Sequence, residues 1–345
     1  GTSIGIGVHI QGAAQLLTSA GDIDIIGTST GTGGLNTGVQ IEAAAVIQST
    51  GLGTGAGTIT IDGTGSSGSD DNTGVTIDGN STLVTSIDGD IGITGQGGGT
   101  GTGDHGVVIA DQAVVRSTGT TADAATIRIE GTSTTNAAGS GNGVRIENDA
   151  LAEVAASGLG GIDIIGRDGA NGDDAAIVID DSIVRTDTTQ ITITGVNQDV
   201  VMSQTVGTAE VQSNSGSALI QSSRNVLLGI VNLDLDADGV IRGTAVIVAD
   251  ADTTGLTDGE ASDCVGEIVD NLAGEGANIT AAAAALSAGT GIGDFTYDGS
   301  TTEEDRDIDV EVDTLAAFTC EGDIFVSDPT ALTVGTVDLT VVGLT

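Results

Sequence analysis

A short motif, Ile-x-Ile followed closely by glycine, returns along this chain at nearly even intervals. No other feature limits the possible folds as much. It occurs as IDIIG at Ile23–Gly27, ITIDG at Ile59–Gly63, IGITG at Ile91–Gly95, IRIEG at Ile127–Gly131, IDIIG at Ile162–Gly166 and ITITG at Ile191–Gly195. The first isoleucines are 36, 32, 36, 35 and 29 residues apart. That is a repeat of about 34 residues whose loops absorb the variation. Each repeat holds two more strand-like pieces. One is GVQI at Gly38–Ile41, GVTI at Gly74–Ile77, GVVI at Gly106–Ile109, GVRI at Gly143–Ile146 and AIVI at Ala176–Ile179. The other is VIQST at Val46, LVTS at Leu83, VVRST at Val114 and IVRTD at Ile183.

Three strands of four or five residues per repeat predict an all-β solenoid, a right-handed parallel β-helix with about three strands per ~34-residue coil. Alternate strand residues face opposite sides, so Ile23 and Ile25 point inward while Asp22 and Asp24 point outward. One coil cannot bury its own isoleucines; stacked coils bury them continuously. The isoleucines at 23, 25, 59, 61, 91, 93, 127, 129, 162, 164, 191 and 193 are therefore expected in one inward stack. Glycines beside the strands are expected to supply positive φ at the corners. The Gly- and Asp-rich stretches, such as GTGSSGSDDNTG at Gly63–Gly74, read as variable loops.

The rival folds fit less well. A helical solenoid needs a 3.6-residue period, and only Ile279–Leu286 offers anything close. An antiparallel sandwich needs repeated two-residue hairpins, whereas the linkers here alternate short and long. Disordered chains lack clustered β-branched apolar residues, which this chain has throughout. The clean pattern covers residues 1–200. Residues 201–345 keep the alternation in AEVQS, ALIQSS, VLLGIVNLDLDADG and TAVIVAD but lose the even spacing. They read as an irregular β-helical continuation or a second β-rich subdomain. The opening GTSIGIGVHI suggests a mature or excised segment.

Charge narrows the partners. The chain carries 49 acidic residues against 8 arginines and no lysine, a net charge of −41. Such a surface repels nucleic-acid phosphates and anionic headgroups, so neither is an expected partner. No apolar run reaches the ~18 residues of a membrane span. The charge forms a solvated coat that divalent cations and salt would screen.

The segments GTGIGDF, VDTLAAFTCEGDIFVSD and ALTVGTVDLT, with the upstream IDIIG, GVQI and VIQST units, resemble repeats of filamentous-haemagglutinin-like and β-strand-repeat bacterial surface proteins. The resemblance implies a secreted parallel β-helix acting in adhesion, matrix or envelope architecture. Its expected partners are other copies of itself stacked head to tail, flanking segments of a larger chain, or surface glycans.

Few residues suggest chemistry. DLDADG places Asp234, Asp236 and Asp238 at alternate positions before a glycine, the front half of a Ca²⁺ loop. The twelfth position is Ala245 rather than a bidentate glutamate, and the same segment also reads as a strand with aspartates on its solvent face. Cys264 and Cys320 suffice for one disulfide in an oxidising compartment. Asn80-Ser81-Thr82 and Asn278-Ile279-Thr280 are glycosylation sequons. Paired aspartates such as Asp180 and Asp181 suit a glycosidase acid and base, since parallel β-helices also host polysaccharide-degrading enzymes. Yet tryptophan and lysine are both absent, and His9 and His105 stand far apart. The expectation is a non-enzymatic structural protein with no cofactor except possible Ca²⁺.

Overall fold

A computed structural model describes residues 5–133, 141–154, 159–169, 174–205, 207–235, 240–251, 264–272, 276–293 and 307–338. Every strand pairing among them is parallel, and the chain forms a parallel β-helix with three stacked faces. The only described helix is the single 3₁₀ turn Gly53–Gly55. In the first coil, Ile6–Ile10 lies on face one, Gln15–Thr18 on face two and Ile23–Thr28 on face three. Each strand pairs with its counterpart one coil later, as Thr37–Ile41, Val46–Ser49 and Ile59–Thr64 show. Successive coils thus advance by about 4.8 Å, the spacing of paired strands.

Register explains the sequence repeat. Ile23 pairs with Ile59, then Ile91, Ile127, Ile162 and Ile191, while Ile25, Ile61, Ile93, Ile129, Ile164 and Ile193 form the neighbouring column. From Ile59 onward these isoleucines are essentially inaccessible to solvent. Face one contributes the column Val39, Val75, Val107, Val144 and Ile177, and face two includes Ile47, Val84 and Val115. Together they form one core running along the coil axis. β-branched side chains suit this packing because their limited rotamers already match a pleated surface.

The motif glycines serve a different purpose from the one expected. Gly27, Gly63, Gly95, Gly131 and Gly166 are not in the positive-φ region. They lie where face three passes the start of face one. A Cβ on Gly95 would sit 2.0 Å from the Gly106 carbonyl oxygen, and one on Gly131 would sit 1.9 Å from that of Gly143. Close backbone approach, not backbone conformation, requires these glycines. Left-handed conformations instead mark the corner between faces one and two. There Ala43–Ala44, Asp111–Gln112 and Asn148–Asp149 all take φ between 54° and 67°. Asn and Asp tolerate this region better than most residues because their side chains bond locally.

The columns continue past residue 200 without a break in pairing. Ile191 pairs with Ala218, then Ala245, Ala284 and Leu315, and Ile193 with Ile220, Ile247, Leu286 and Ala317. The change after residue 200 is therefore one of coil geometry. In coil nine a single strand, Ile279–Ala288, covers both face two and face three. Ile308–Thr319 repeats this in coil ten. Inward–outward alternation slips by one at Ala282–Ala283, where the strand passes from one face to the next.

Candidate functional site

The residues that set this coil apart from a closed globule lie at its two ends. Core side chains that remain only partly buried are Val8, Ala14, Leu16 and Ile23 in the first coil, and Ala317, Val326 and Leu332 in the last two. One coil inward, Val39, Ile47 and Ile59 are fully buried. Among the described residues, first-coil strands pair on one side only. The far end narrows to Val326–Ser327 and Thr333–Val334, with Val334 80 % and Ile324 43 % exposed. Among the described residues, each end is an apolar cross-section edged by main-chain groups.

The two cross-sections are ends of the same columns. The column starting at Val8 runs through Val39, Val75 and Val107 to Ile292 and finishes at Ile324. The column starting at Leu16 reaches Val231, Ile279 and Val310. The Ile23 column finishes at Leu315 and Val334. A second coil placed on either end would continue each column with apolar against apolar.

Polar groups order the loops between faces three and one. Asn36 and Asn72 are fully buried and form a ladder: the Asn36 amide donates to Asn72 Oδ1 at 2.7 Å, and the Asn72 amide to Asp104 Oδ1 at 2.9 Å. Burial pushes the Asp104 carboxyl above its ordinary range. His105 Nδ1 accepts the Asn142 main-chain N–H at 2.9 Å. Burial, with the nearby Arg145 charge, lowers the His105 pKa to about 4, which keeps the ring a neutral acceptor. Before face three, the Asp22 carboxylate accepts both the N–H and the hydroxyl of Thr58 one coil on, each at 2.9 Å.

The sequence left this ladder unnoticed. Its signal, Asn-Thr-Gly-Val at Asn36 and Asn72 and Asp-His-Gly-Val at Asp104, is lost among the many Asn and Asp residues of the loops.

The described candidate residues each take a local structural role. Asp181 Oδ1 accepts the main-chain N–H groups of Thr205 and Gly207 at 2.9 and 2.7 Å. Asp180 Oδ1 accepts the Ser203 and Thr205 hydroxyls. Both aspartates hold the loop that follows strand Val200–Ser203. His9 pairs with Glu42 at 2.7 Å on the surface. The Asp234 N–H donates to Asn232 Oδ1, while Asp236 and Asp238 lie outside the described residues. Among the described residues no group of three His, Cys, Asp or Glu side chains is placed to hold a metal.

Asn80 is exposed in a corner turn, its amide donating to Gln112. Asn278, in the second sequon, is fully buried. Its amide donates to Asp270 Oδ1 at 2.6 Å and its carbonyl accepts the Asp309 N–H, so it is a stacking residue. Cys264 and Cys320 form a disulfide with Cα atoms 5.7 Å apart, inside the range such bonds require.

No known protein family, curated protein or solved structure matches this chain.

Proposed function

We propose that the protein is a structural, extracellular element of a surface filament, sheath or matrix, in which the coil of one copy is continued end to end by the next. One observation carries this reading: the incompletely buried core residues sit at both ends of the same columns. Docking one end on the other buries the exposed valines, leucines and isoleucines, at about 25 cal/mol per Å² of apolar area. It also satisfies the edge main-chain groups of a parallel sheet. Such a contact is heterologous and does not close, so it builds a fibre. The net charge of −41 discourages side-by-side association while leaving the apolar ends to direct growth. The disulfide suits an oxidising compartment, and the resemblance to secreted repeat proteins points the same way.

A second reading, an adhesin stalk, uses the same ends, with flanking segments of a longer chain supplying the neighbouring coils. Electron microscopy of the purified chain separates the two. Filaments with an axial repeat of roughly 50 Å, eleven coils at strand spacing, support self-assembly. Dispersed single rods at high concentration contradict it and favour the stalk.

A further inference from the structure

We propose that the Cys264–Cys320 disulfide gates end-to-end docking, so that only the oxidised chain presents a C-terminal edge able to accept a second copy. The inference rests on the docking reading above. It starts from where the bond lies. Three passes of the chain meet at the corner between faces three and one: residues 264–266, 289–290 and 320–322. The Thr290 N–H donates to the Gly266 carbonyl at 2.9 Å, and the Cys320 and Glu321 N–H groups donate to Ala288 and Gly289 at 3.1 and 2.8 Å. At two glycines the passes leave no room for a side chain: a Cβ on Gly289 would lie 2.1 Å from the Val265 carbonyl oxygen, and one on Gly322 would lie 1.8 Å from that of Thr290. The disulfide ties the first pass to the third.

The docking edge hangs on that corner. Its last coil is held by the Ile292–Ile324 bridge, by Ile308–Val326 and Asp309–Ser327, and by Thr314–Thr333 and Leu315–Val334. Between regular coils, the strand Ile91–Gln96 alone pairs over six residues with Ile127–Thr132. Terminal elements with so little pairing open first. The strand that anchors this coil, Ile308–Thr319, runs directly into Cys320. The bond joins residues separated by 56 positions, and the segment it closes contains coils nine and ten. The coils of residues 6–232 lie outside it. Reduction therefore loosens the docking edge and leaves the shaft intact.

The chemistry is thiol–disulfide exchange. A small dithiol reduces the bond: its two sulfurs lose two electrons and become a cyclic disulfide, and the protein sulfurs gain two electrons and two protons as thiols. The reducing interior of a cell would hold the chain in the open-edged form, and an oxidising exterior would close it. Growth would then begin only after export.

The test compares the oxidised chain, the same chain in a dithiol, and the Cys264→Ser/Cys320→Ser variant, by sedimentation and by amide hydrogen exchange. The oxidised chain is expected to assemble and the other two to stay monomeric. Amides of residues 308–335 should exchange at least roughly tenfold faster without the bond, with those of residues 91–132 unchanged. Reoxidising the dithiol-treated chain should restore assembly. Reduced chain that assembles at the same protein concentration as oxidised chain overturns the gate. Oxidised chain that stays monomeric overturns the docking reading itself, and exchange still reports whether the bond clamps the edge.

Discussion

In the coils before residue 200 the corner between faces two and three is a loop, such as the one joining Val46–Ser49 to Ile59–Thr64. In the coils after residue 278 the same corner is a bend inside one strand. The core column at that corner changes too, beginning two coils earlier. It holds isoleucine from Ile23 to Ile191, then alanine at Ala218, Ala245 and Ala284, and leucine at Leu315. The lost inward volume is offset on the outside. Leu219, Val246, Val248 and Ala251 form a second apolar cluster; Leu219 and Val246 lie in the column that holds Asp24, Thr60 and Arg128 in earlier coils, and Val248 in the column that holds Asp62, Thr94 and Glu130. The regular coils bury one side of each strand; the later coils bury part of both and add a disulfide. The periodic region can therefore be read as a repeated rule, while the later region depends on individual contacts.

That contrast is most exposed to glycine substitution. Gly95→Ala forces a Cβ against the Gly106 carbonyl and should cost about 4 kcal/mol or more in urea unfolding. Gly335→Ala meets nothing closer than the Thr314 methyl at 3.7 Å and should be nearly neutral. Equal losses at both sites would break the comparison.

Next in size is the core itself. Ile129→Ala removes a fully buried side chain from the rigid column and should cost roughly 3–4 kcal/mol. Ala284 already occupies the related column in the later coils, so Ala284→Ile should be the damaging change there, through overpacking. A stabilised Ala284→Ile variant would show that the later corner has spare room.

Acid should act through the regular coils. His105 has its folded pKa lowered to about 4, against an unfolded value near 6.5. The folded state resists protonation, so stability is complete above the unfolded value. It then falls by up to about 3 kcal/mol as pH drops towards 4. Asp78, Asp104 and Asp168 act with the opposite sign. Burial raises their folded values, so the stability they contribute is present in acid and lost as pH rises through the carboxyl range. The His105→Gln variant isolates the first effect. Any stability advantage of the native chain over this variant should shrink between pH 7 and pH 4. An unchanged difference would mean that the ring titrates normally.

The smallest expected effect is in the loop ladder. Asn72→Ala leaves Asn36 and Asp104 without their shared partner, a loss of about 2 kcal/mol. Asn72→Asp should recover little, because it places a second carboxylate against Asp104.

Much of this was legible in the sequence. The Ile-x-Ile-x-Gly spacing predicted the parallel coil, its three faces and the inward column residue by residue, because a period-two pattern inside a long repeat has few packed solutions. The alanine run at Ile279–Leu286 was harder to read. Alanine favours helix, yet the segment is a strand, since its neighbours Thr244–Ala249 and Ile308–Thr319 offer pairing that a helix could not use. The role of the motif glycines was also hidden, because close approach between distant backbones leaves no local signature. The buried Asn36–Asn72–Asp104 ladder and the burial of Asn278 were invisible for the same reason. The match between column ends was hidden as well, because it requires the register.

Cross-linking the two ends tests that match most directly. Within one copy, Val8 and Ile324 head the same column ten coils apart, roughly 48 Å at strand spacing, too far for any disulfide. In a head-to-tail junction they become neighbours. A Val8→Cys/Ile324→Cys chain, with the native disulfide intact, should give a ladder of covalent dimers, trimers and longer species under mild oxidation, while each single variant stops at or below dimer. If the double variant remains monomeric under conditions that oxidise free thiols, the ends do not meet in register and the account of end-to-end growth is wrong.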